Sequence, residues 1–194
     1  MGRTETREDI VRIGSELIAR GGYSQTGIDQ ILKKARVPKG SFYYYFGSKE
    51  EFGLAVIDKF AGEMLATVRT RLGEDGLSPL KRLRNHLEQG LMKVGGNECR
   101  RGCLIGDLGQ ELAHHNETFR LRLEDVFELW KQEIAGCLKK AKTAGELGRS
   151  GDAMQLADFI LSGWEGAILR AKVKHSVDPM RVFIDVLFGR VLTA

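Results

Sequence analysis

Apolar residues recur along this chain at intervals of three and four, and nowhere do they alternate with polar ones as in a strand. The pattern predicts an all-α fold. A first helix is expected from Thr4 to Ala19, with Ile10, Ile13, Leu17 and Ile18 facing inward, stopping at Gly21-Gly22. Thr26 is placed to cap a second helix carrying Ile28, Ile31 and Leu32, which ends at Val37-Pro38 because the residue before proline is pushed out of the α region. Lys39, Gly40 and Ser41 then open a short helix, FYYYF, that cannot stand alone and must be held through Phe42 and Phe46, four apart on one face. Ser48 caps a longer helix with Phe52, Ile57, Phe60, Met64 and Val68 on one side. A joint follows at 73–79, and Ser78-Pro79 starts a helix to about Val94. After a Gly-Gly-Asn loop, a helix begins near Gly102-Cys103, with Leu104, Ile105, Leu108 and Leu112 as its apolar side.

The remaining segments are longer. Residues 117–144 are amphipathic through Phe119, Leu123, Val126, Phe127, Trp130 and Ile134. Residues 152–174 carry Leu156, Phe159, Ile160, Trp164 and Ile168, with Gly163, Gly166 and Ala167 between them to admit a close neighbour. The last segment, 178–192, is apolar on more than one face and needs a second surface to cover it. A homodimer in which the last two helices of each subunit form a four-helix interface meets that need; burial within one subunit accounts for one face only. The expected organisation is an N-terminal three-helix domain, 1–50, containing a helix-turn-helix, and a C-terminal helical domain, 51–194.

Charge sharpens the picture. The 194 residues carry a net +4. Nine basic and six acidic side chains fall in the first fifty residues, so most of the excess sits with the short tyrosine-rich helix. Five cations and no acid lie between Lys33 and Lys49, a field that suits a phosphate backbone. Gly40 and Ser41 let backbone N–H groups approach phosphate or base edges. Tyr43, Tyr44 and Tyr45 cannot all be buried; a tyrosine ring packs on a thymine methyl and its hydroxyl donates to phosphate. The bland alternative is a solvated basic turn with tyrosines filling a core. The spacing of turn, proline and apolar positions favours double-stranded DNA, and a dimer would present two recognition helices about 34–36 Å apart to a palindromic site. Three cysteines make no disulfide framework, the charged N-terminus has no apolar signal core, and no run is long enough to span a bilayer. A cytoplasmic protein is expected, with no cofactor and no metal implied.

Candidate chemistry beyond DNA lies in GGNECRRGCLIGDLGQELAHH, 95–115. Cys103 is placed at a helix start behind Arg100 and Arg101, both features that favour thiolate, and a thiolate meets electrophiles and oxidants. Cys99, four residues away, could resolve it, whereas Cys137 reads as packing. The alternative for Cys103 is a small buried residue. Cys99, Cys103, His114 and His115 match no standard zinc spacing, and the His pair reads as a helix end. Trp130 and Trp164 are candidate pocket walls. Asp107, Glu165 and Arg170 are candidate polar groups, Arg170 for a carboxylate ligand. A rival reading, a cysteine enzyme with Cys103 as nucleophile and His86, His114 or His115 as base, finds no catalytic signature.

The run TGIDQILKKARVPKGSFYYYFGSK, 26–49, resembles the DNA-binding motif of the TetR family of repressors, and the plan of the whole chain is similar. The resemblance implies that Thr26 touches phosphate, that Lys39, Gly40, Ser41 and Tyr44 reach the groove, and that Tyr43, Tyr45 and Lys49 grip the backbone. Tyr45 is a departure, since many members carry histidine there; tyrosine keeps a donor. The segments RRGCLIGDLGQE (100–111) and WEGAILRAK (164–172) resemble a subgroup of the family that answers acrylate or N-ethylmaleimide, both electron-poor alkenes, with the sensing cysteine in a Gly-Cys-Leu step that here places it at Cys103. The implied protein is a dimeric repressor released from its operator by a small electrophilic or acrylate-like effector, bound covalently or not.

Overall fold

Gly22, at φ 81°, turns the chain out of its first helix, and the same turn decides where the second begins. The computed structural model describes residues 3–148 and 151–192 and is all-α, with no strand among them. Its helices are α1 (Arg3–Gly21), α2 (Ile28–Ala35), α3 (Gly40–Tyr45), α4 (Lys49–Leu72), α5 (Pro79–Gly95), α6 (Leu104–Leu112), α7 (Glu117–Thr143), α8 (Ala153–Lys174) and α9 (Asp178–Val186). A π-helical turn, Leu187–Val191, follows α9. No helix among the described residues is long and apolar enough to cross a membrane.

Three local expectations need correcting. Thr26 does not cap α2: the N-cap is Gly27, with no side-chain bond. The Gly22 turn brings the Thr26 hydroxyl onto the Gly22 carbonyl, to which it donates at 2.6 Å, and leaves the residue 3% exposed. α2 stops at Ala35, short of Val37-Pro38, because Arg36 adopts a left-handed conformation (φ 56°) and closes the helix through its backbone N–H. The last segment is not one regular helix; the ladder widens to π spacing at Leu187.

Ser48 does cap α4: its hydroxyl accepts from the Glu51 N–H at 3.0 Å, while the Glu51 carboxylate accepts from Gly47 N–H at 2.7 Å, a reciprocal closure of the helix start. Asp152 caps α8 by accepting from Met154 and Gln155.

Packing divides the chain into two compact units, Met1–Glu63 with Leu104–Glu124, and Met64–Cys103 with Asp125–Ala194. Residues 51–63 and 104–124, expected in the C-terminal domain, thus pack in the first unit. Its core holds Ile10, Ile31, Phe42, Phe46 and Phe52, with ring centroids 5.4 Å apart for Phe42–Phe46 and 5.3 Å for Phe46–Phe52. Phe52 presses on α1 at Gly14, where a Cβ would lie 2.2 Å from the ring, so any larger residue there displaces it.

The second unit is built on Val94, Cys99, Ala167, Ile168, Ala171 and Met180. Its glycines admit rings: a Cβ at Gly163 of α8 would meet Phe183 of α9 at 2.4 Å, and one at Gly90 of α5 would meet Trp164 at 2.7 Å. The α9 segment buries Met180, Ile184 and Leu187 and leaves Val182 and Val186 exposed, as α8 leaves Phe159, Leu169 and Val173.

Candidate DNA-binding surface and effector site

Six residues cannot hold a helix on their own, so α3 exists because Phe42 and Phe46 anchor it. Both are buried to within 1%. The anchoring turns the neighbouring rings outward: Tyr43 is 64% and Tyr44 58% exposed, and Tyr44 meets the half-buried Tyr45 edge to face at 5.0 Å. Gly40 is exposed, and a Cβ there would meet nothing within 4 Å. Ser41 is half-buried beside it. Lys39 pairs with Asp29 at 3.1 Å, with both side chains more than 70% exposed. An ion pair so open contributes little and is readily exchanged for phosphate. Lys39, Gly40, Tyr43 and Tyr44 therefore form one exposed basic-aromatic strip.

Two of the predicted residues stand apart from that strip. Thr26 is buried with its hydroxyl committed to Gly22. Lys49 is half-buried; its ammonium lies 4.6 Å from the centre of the Tyr23 ring and 3.4 Å from the Ser24 carbonyl, and burial lowers its pKa against the opposing pull of Glu111.

The Tyr23–Ser24 turn has a further partner that the sequence reading did not single out. The Glu111 carboxylate on α6 accepts from Tyr23 N–H at 2.9 Å and from Ser24 N–H at 2.7 Å. Burial pushes its pKa up, but the bonds from Ser24 and Tyr23 and the charge of Lys49 outweigh this and hold the carboxyl below its ordinary value. Tyr23 itself, half-buried and facing Glu50 and Glu111, is pushed up to about 12, first by desolvation and then by those two charges. Nearby, Asn116 caps α7 by accepting from Phe119 N–H and donates to Glu50 at 2.6 Å, while Phe119 packs edge-on against Tyr23 at 5.1 Å. The hydrogen bonds from Tyr23 and Ser24 to Glu111 and from Asn116 to Glu50 join residues 66 to 88 apart in sequence, so no local pattern announces them.

In the second unit Cys103 is the residue immediately before α6. It is half-buried and packs against the apolar cluster together with Trp164 and Phe183. Cys99 is a buried member of that cluster, held at φ 56°. The Lys172 stem runs past this loop, 3.0 Å from where a Cβ at Gly102 would stand. Arg100 pairs with Glu98 at 3.2 Å in the open. Trp164 and Cys103 thus share one cluster. Trp130 is buried elsewhere, on α7 against Phe127, with its indole N–H unpartnered, and Arg170 is exposed. Cys137 is buried, donates to the Pro79 carbonyl and is pushed up to about 11 by burial, as befits packing rather than reactivity. His86 is pushed down to about 4, first by burial and then by Arg71, so it stays neutral. Among the described residues no group of three or more His, Cys, Asp or Glu could hold a metal ion.

Comparison with known proteins places this geometry. Residues 10–56 match the bacterial regulatory proteins of the tetR family, and residues 79–187 match the tetracyclin repressor-like C-terminal domain. The chain is 41% identical to the transcriptional regulator AcuR of Cereibacter sphaeroides over 94% of its length and 83% of that protein's. It is 33% identical to the transcriptional repressor DhaR of a Mycobacterium species, over 99% and 95%. The crystal structure of the reduced form of Escherichia coli NemR superposes with a TM-score of 0.87 at 27% identity, covering 97% of each chain.

Proposed function

The chain belongs to the TetR family of bacterial regulatory proteins, a DNA-binding transcriptional regulator, and we propose that it is a homodimeric repressor released from a palindromic operator by a small electrophilic or acrylate-like effector read at Cys103. The observation that carries the reading is the position of Cys103: a half-buried thiol on the residue immediately before α6, packed against the apolar cluster on which Trp164 also packs. A group added to that sulfur has to displace the apolar cluster or move the helix start. The effector acts as a population shift, favouring the dimer state whose recognition helices do not fit the operator. Lys39, Gly40, Ser41, Tyr43, Tyr44 and Tyr45 are assigned to DNA. The exposed apolar residues of α8 and α9, Phe159, Leu169, Val173, Val182 and Val186, are assigned to the second subunit. A cytoplasmic location accords with this role.

The test is a gel-shift titration on DNA from upstream of the protein's own coding sequence, with acrylate and with N-ethylmaleimide, for wild type and Cys103→Ser. Release of wild type alone is the expected result. Release of both would move the effector to a non-covalent pocket with Cys103 as packing, a reading favoured by the same apolar surroundings. Release of neither removes this effector class.

A further inference from the structure

The first unit contains a contact that DNA binding as described does not use. The turn Gly22–Ser24 sets the approach into α2: Gly22 sits at φ 81°, Thr26 bonds back to its carbonyl, and α2 begins two residues later. Two backbone donors of that turn, Tyr23 N–H and Ser24 N–H, are taken by one side chain, Glu111, from α6. The Glu111 carboxylate also lies 3.0 Å from where a Cβ on Gly22 would stand. Lys49, the first residue of α4, closes the arrangement over the Tyr23 ring and the Ser24 carbonyl. One carboxylate thus fixes the backbone between α1 and α2, beside the first residue of the helix that follows α3. Charge-assisted bonds to backbone N–H are among the stronger hydrogen bonds, and a bidentate set fixes direction as well as distance.

We propose that Glu111 is the positioning residue of the helix-turn-helix. It holds the α1–α2 turn, and through it α2 and α3, in the arrangement that fits DNA. α6 is nine residues long, and Glu111 is one residue before its end. A hydrogen-bonded pair of amides tolerates little displacement before both bonds are lost.

The experiment uses the full chain and a duplex selected in vitro from a random pool by the wild-type protein. Affinity by fluorescence anisotropy is compared for wild type, Glu111→Ala and Glu111→Gln, with the Tyr23 and Ser24 amide resonances as the local readout and thermal unfolding as the control for fold. Glu111→Ala is expected to weaken binding at least tenfold and to move both resonances. Glu111→Gln, which keeps an accepting oxygen, should recover part of each. Should Glu111→Ala fail to fold, Glu111→Gln decides alone, since the proposal requires its affinity and its two resonances to move together. Binding within twofold of wild type while the resonances have moved would overturn the positioning role.

Discussion

Two short helices, α3 and α6, each follow a basic stretch, and each is held by apolar residues three or four apart. Their free faces differ. α3 spends two side chains, Phe42 and Phe46, on the core and leaves Tyr43 and Tyr44 largely in solvent. α6 buries four, Leu104, Ile105, Leu108 and Leu112, and ties its far end to the α1–α2 turn through Glu111. One helix is fixed from behind so that its front can be read by a partner. The other is fixed so that it cannot move without moving something else. Anchoring by spacing is common to both; the difference between a surface and a lever lies in what the polar residues touch.

The largest effect should come from removing the anchor of α3. Phe42 has no exposed surface and meets Phe46 and Phe52, so Phe42→Ala should cost about 3–5 kcal/mol of stability by denaturant unfolding and abolish specific DNA binding. Leu108→Ala, its counterpart on α6, should cost about 2–5 kcal/mol. If Phe42→Ala cost no more than a surface change, α3 would not depend on its anchor.

A second, smaller effect separates the faces. Lys39→Ala removes only an exposed pair with Asp29, so stability should stay within about 0.5 kcal/mol. DNA affinity should fall across sequences, and the slope of log affinity against log salt should shrink by about one. An unchanged slope would remove Lys39 from the phosphate contacts.

Acid should act on α6 and not on α3. The Glu111 carboxyl is held below its ordinary value in the fold, so its contribution is fully present above about pH 4.5 and is lost as pH falls through the lower, folded-state pKa. The Tyr23 and Ser24 amide resonances should therefore titrate below pH 4.5, and Glu111→Gln should abolish that titration. A midpoint above 4.5 would mean that the two amide bonds do not favour the charged form.

The anchoring half of this comparison was legible in the sequence. Phe42 and Phe46, four apart, and the apolar set of α6 follow from helical periodicity, as do the helix ends at Gly22 and Ser48. Contacts set by distant partners were not legible. Glu111 lies 87 residues from Ser24, and in a helix it reads as one more solvated acid. The family resemblance implies that Lys49 grips the DNA backbone, but the Tyr23 ring, 26 residues earlier, is what it covers in the free protein. Thr26 departs from its expected role for a local reason: a threonine before an apolar run is a good cap by composition, and the left-handed turn at Gly22 sends its hydroxyl backward. Motifs thus located the surface, while the tie behind it needed the fold.

The smallest effect gives the sharpest comparison, because one substitution can be made on both helices. A Cβ added at Gly40 of α3 or at Gly109 of α6 would meet no atom within 4 Å. Neither change carries a steric cost in the free protein. Gly109→Ala replaces a helix-interior glycine and should stabilise by about 0.5–1 kcal/mol. Gly40, at the first position of α3, should give less, within about 0.5 kcal/mol. The two should part on DNA. If α3 brings its backbone close to the duplex, the methyl at Gly40 has to fit between helix and phosphate, and Gly40→Ala should weaken binding severalfold while Gly109→Ala leaves it unchanged. Equal affinities for the two variants would mean that α3 meets DNA only through its side chains, and that the open space at Gly40 is solvent rather than room for a partner.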